Sequence, residues 1–69
     1  MKVYDEVWAV EANRVVQFFK EHRGDVTIIT LPDKTVGSMT MPQTQVIIQG
    51  ENADELYWQF RMHFMTAGG

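Results

Sequence analysis

The chain has 69 residues, no cysteine, six basic against nine acidic side chains and a net charge of −3 at pH 7, which excludes a second domain, disulfide stapling and thiolate-bound zinc and argues against nucleic-acid capture by clustered basic groups. An apolar fraction of 45% with two Trp, two Tyr and four Phe excludes a disordered chain. No apolar run approaches the roughly 20 residues a bilayer requires and no secretion signal is recognisable, so a soluble, cytoplasmic single domain over residues 1–69 is expected.

Val3, Tyr4, Val7, Trp8 and Val10 suit a strand, and Glu6–Glu11 reads as a buried one. Tyr4, Trp8, Val15 and Phe19 also gather on a helical wheel, but that helix would leave Val3 and Val10 off its apolar face and put Glu11 on it. The strand is the better reading. Asn13 is a plausible N-cap for a helix through Val15, Val16, Phe18, Phe19 and His22 to Gly24.

Asp25–Leu31 (DVTIITL) and Thr44–Gly50 (TQVIIQG) are β-branched runs that predict two strands. Their apolar pairs, Ile28-Ile29 and Ile47-Ile48, replace strict alternation and predict partial cover on both faces. The intervening PDKTVGSMTMP is too long for a tight turn; Thr35, Val36 and Thr40 suit an extended, flexible β-arm. Asn52 and Glu55 approximate a capping box, and Glu51, Asp54 and Glu55 sit at the positive end of the helix dipole. These acids predict a helix from Ala53 to about Thr66 that stops at Gly68.

The fold class is therefore α+β in the order β-α-β-β-α, with two helices on one face of a three-stranded sheet. That order resembles a ferredoxin-like split β-α-β fold lacking its last strand. The resemblance is one of topology and carries no functional motif. It implies a first strand left on an edge, open to pairing.

Motifs for chemistry are sparse, and no catalytic residue, metal site or cofactor is assigned. His22 and His63 lack ligand spacing, and Ser38 has no GxSxG context. Lys34-Thr35 matches the end of a phosphate-binding loop without its glycines, and Asp5 and Glu6 on a strand point to opposite faces. The terminal Gly68-Gly69 resembles the ends of ubiquitin-like sulfur carriers and modifiers, but here the glycines follow a helix, and a helix stop is the simpler reading.

The last helix carries two apolar faces. Ala53, Leu56, Tyr57, Phe60 and Phe64 gather on one side; Trp58, Met62 and Met65 gather almost opposite, flanked by Asp54 and Arg61. The second stripe reads either as core covered by the first helix or as a contact face for another protein. Met39 and Met41, in the long connection, are the second candidate contact. The leading expectation is a non-enzymatic protein-binding module, an inhibitor or adaptor of the kind phages and mobile elements use to block host factors, with no membrane role and expected to form a homodimer. A ferredoxin-like nucleic-acid module is the alternative, with scattered basic residues and few sheet aromatics against it; a Gly-Gly carrier is the third reading.

Overall fold

The computed structural model describes residues 2–67. Its elements run β1 (Lys2–Trp8), α1 (Ala12–Glu21), β2 (Asp25–Val36), β3 (Met39–Gly50) and α2 (Ala53–Ala67). The three strands form one sheet in the order β1-β3-β2, and both pairings are antiparallel.

Period-2 alternation selects the face each strand buries. Tyr4, Glu6 and Trp8 of β1, Thr44, Val46 and Ile48 of β3, and Val26 and Ile28 of β2 share one face by register. Both helices cover that face. Val15 and Phe18 of α1 join Ala53, Leu56, Tyr57, Phe60 and Phe64 of α2 in a single core with Val46 and Ile48. The opposite face carries Val3, Asp5 and Val7, then Gln45, Ile47 and Gln49, then Asp25, Thr27 and Ile29. No described element covers it.

Four expectations are corrected. The first strand is Lys2–Trp8, not Glu6–Glu11; Thr44 Oγ1 donates to the Val10 carbonyl at 2.7 Å and holds the chain in its turn toward α1. Asn13 is not the N-cap: Glu11 occupies that position without a side-chain cap, and its carbonyl accepts from the N–H groups of Arg14 and Val15. The helix ends at Glu21, before Gly24, with His22 as its C-cap. The paired isoleucines do not report cover on both faces, because Ile28 and Ile48 point into the core while Ile29 and Ile47 lie on the open face. The Gly68 stop lies outside the described residues.

The connection from Pro32 to Pro42 is a β-hairpin arm. It lengthens β2 and β3 to 12 residues each and gives the molecule its 41 Å long axis. Gly37 takes φ +62 while Ser38 does not enter the positive-φ region, the signature of a two-residue type II′ turn. At the base of the arm, Pro32 and Asp33 fill a bulge between the Leu31–Gln43 and Lys34–Met41 pairs. Proline on this outer strand costs no pairing inside the sheet.

Gly24, just before β2, lies against Leu56 of α2. A Cβ there would overlap Leu56 Cδ2, and Leu56 is buried. Gly24→Ala is expected to destabilise the fold by about 1–3 kcal/mol through this overlap. Urea unfolding measures it; an unchanged midpoint would show that Leu56 has room to move.

Candidate functional site

α2 divides its residues between two environments. Leu56, Tyr57, Phe60 and Phe64 are buried against the sheet and α1, while Trp58, Met62 and Met65 remain 56%, 54% and 52% exposed. At 100° per residue these three fall along the outward side of the helix. α1 packs at the other flank, where Phe18 meets Phe64 and His63, so it leaves the stripe exposed.

The stripe is backed by a chain of polar contacts reaching into the sheet. Glu6 faces the helices from β1, and its carboxylate accepts from the Tyr57 hydroxyl at 2.9 and 3.0 Å and from Trp8 Nε1 at 3.1 Å. Arg61 Nη1 donates to the Tyr57 oxygen at 3.1 Å. The Arg61 guanidinium lies 5.8 Å from the centre of the Trp58 ring, within range of a cation–π contact. A carboxylate partly withdrawn from water beneath a helix is stabilised by such donors. Glu6 therefore fixes Tyr57, Tyr57 receives Arg61, and Arg61 lies against Trp58.

Tyr4 forms the other end of this arrangement. Its ring stacks on Tyr57 at 4.2 Å with the planes 6° apart, and its hydroxyl donates to Asp54 Oδ1. Lys2 Nζ lies 3.7 Å from the same carboxylate oxygen. Asp54 thus ties the first turn of α2 to β1 while flanking the stripe.

The remaining sequence-derived candidates are dispersed. Met39 is 65% exposed at the arm tip, and Met41 is half-buried farther down the arm, so the arm holds both away from the Trp58 stripe. His22 Nδ1 bonds to the Phe18 carbonyl at 3.0 Å, and His22 and His63 flank the Phe18 ring beside a cleft of ≈ 340 Å³. Among the described residues, no group of three or more His, Cys, Asp or Glu side chains is gathered to hold a metal. The two sheet aromatics, Tyr4 and Trp8, pack under α2 rather than on the open face, so that face offers no ring for a base to stack on. No described helix is long and apolar enough to cross a membrane. Gly68-Gly69 lies outside the described residues. Sequence reasoning missed Glu6 and Tyr57 as supports of the stripe; their pairing spans 51 positions, and no local pattern encodes it.

No protein-family model, curated protein or solved structure matches the chain.

The hydrogen bond to Asp54 is the main cause of a Tyr4 pKa raised above the ordinary value of 10.0, with burial and the Asp54 charge adding to it. A raised folded-state pKa contributes stability that is complete below the unfolded value and is lost as pH rises through the folded one. Tyr4→Phe is expected to remove this part of the alkaline loss, leaving a shallower fall in stability above about pH 10 than in the wild type. Urea unfolding from neutral to alkaline pH checks it; parallel curves for the two proteins would rule the contact out.

Proposed function

We propose that this chain is a non-enzymatic protein-binding module that presents the outer face of α2 to a groove on another protein. The observation that carries this reading is the exposure of Trp58, Met62 and Met65 on a helix whose other face is fully packed. Their i, i+4, i+7 spacing is the anchor pattern of helix-in-groove recognition. Trp supplies a large apolar surface for a central anchor, and Met adapts to an uneven groove wall. Arg61, held by Tyr57, restrains the Trp58 ring and lowers the entropy lost when that ring is immobilised.

The proposed architecture is the ferredoxin-like split β-α-β unit without its last strand. The β1-β3-β2 order and two antiparallel pairings support it. β1 then occupies the edge on which a further strand would pair. The corresponding biological role is occupancy of a partner's surface, as an inhibitor or adaptor of the kind phages and mobile elements direct at host proteins, within the cytoplasm.

Trp58→Ala is expected to weaken binding to a partner isolated with the wild-type chain by more than about 2 kcal/mol, roughly 30-fold. Because Trp58 is exposed, its unfolding free energy should change by no more than about 0.5 kcal/mol. Titration calorimetry with the purified partner and urea unfolding measure the two effects. Undiminished affinity would remove the α2 face as the contact.

A further inference from the structure

The open face of the sheet carries a second apolar surface on the side of the molecule opposite α2's outer stripe. Val3, Val7, Ile29 and Ile47 lie on it by register, and the same face continues through Leu31 and Met41 to Val36 and Met39 on the arm. Val3, Val7, Ile29, Val36 and Met39 are all exposed. Its charged side chains are Asp5, Asp25 and Lys34. Asp5 accepts from Gln45 Nε2 at 2.7 Å within the chain.

Asp25 and Lys34 are placed symmetrically. Asp25 pairs with Gln49 and Ile29 with Gln45, four rungs apart; Lys34 pairs with Met41, four rungs beyond Gln45 on the other side. The bulge at Pro32 and Asp33 produces this symmetry, because it absorbs the extra residue of β2 and returns Lys34 to the same face as Asp25. A second copy turned about a twofold axis through the Ile29–Gln45 rung would therefore set each Lys34 over the other copy's Asp25. Ile29 would meet Ile29, and Gln45 would meet Gln45. Asp5 would stay at the rim.

We infer that the open sheet face is the self-association surface of this protein, on which a second copy packs antiparallel about Ile29, with reciprocal Asp25–Lys34 ion pairs. Strands of 7, 12 and 12 residues, at about 3.3 Å per residue and 4.8 Å between strands, present a face of roughly 500 Å². Turned about the Ile29–Gln45 rung, β1 meets its counterpart only around Val7, so the overlap falls mainly on β2 and β3 and covers roughly 360 Å² of flat face per copy, about 700 Å² together, the size of a weak, reversible interface. Aligned sheets stack about 10 Å apart, a gap the facing lysine and aspartate side chains bridge. The dimer leaves both α2 stripes facing outward, so the inference does not rest on the binding role proposed for α2.

Sedimentation equilibrium across a concentration series tests this. The wild type is expected to dimerise with a micromolar dissociation constant, and Ile29→Lys is expected to be a folded monomer. Asp25→Lys and Lys34→Asp should each raise the dissociation constant about tenfold, and the double exchange should restore it to within about threefold of wild type. Trp58→Asp should dimerise as the wild type does. Should Ile29→Lys fail to fold, the charge exchange at two exposed residues decides alone. A wild type that stays monomeric at millimolar concentration, a double exchange no better than its single parents, or loss of the dimer in Trp58→Asp would each overturn the inference.

Discussion

Phe60 is the contact on which the rest of the molecule depends. It is 1% exposed, and its ring meets Trp8 of β1 edge-on at 5.0 Å, Phe18 and Phe19 of α1 at 5.9 and 5.5 Å, and Phe64 one turn along α2 at 5.0 Å. A domain of this size buries only about 60% of the surface its unfolded chain exposes. Without disulfides it must concentrate its apolar burial in one place, and aromatic rings give the most area per residue. Drawing both helices onto Phe60 commits them to one side of the sheet. The open sheet face and the exposed outer side of α2 both follow from that commitment.

The same packing explains the placement of a carboxylate under a helix. Glu6 lies opposite Val46 in the sheet, between the inward-facing Tyr4 and Trp8. Tyr57 and Trp8 supply its donors, and no buried side-chain polar atom is left without a partner among the described residues. Tyr57 is at once a core residue, a stacking partner for Tyr4, a donor to Glu6 and an acceptor for Arg61. The core and the exposed stripe are thus coupled through one hydroxyl, so packing on the inner side of α2 also restrains the ring on its outer side.

Much of this was legible in the residues, and the failures have physical causes. The two faces of α2 could be read from periodicity because a helix of 15 residues repeats its pattern several times. β1 was harder because Tyr4 and Trp8, four residues apart, satisfy a period of 2 and a period of 3.6 equally. Its true span was hidden by Glu6, which looks like a solvent-facing residue until Tyr57 is brought over it. Ile28-Ile29 and Ile47-Ile48 suggested cover on both faces, since composition cannot distinguish an apolar residue under a helix from one on an open sheet. The arm was anticipated from Thr35, Val36 and Thr40, whereas its bulge, and with it the common face of Asp25 and Lys34, depends on a pairing between distant residues.

The proposed contact role requires Trp58, Met62 and Met65 to face solvent on a helix whose opposite side is core. Nuclear magnetic resonance with a soluble paramagnetic chelate measures this directly, because side-chain signals broaden according to their exposure. Strong broadening is expected of the Trp58 indole and the Met62 and Met65 methyl groups, with Tyr57, Phe60 and Phe64 protected on the same helix. A protected Trp58 in the isolated chain would contradict it, since the stripe would then be part of the core.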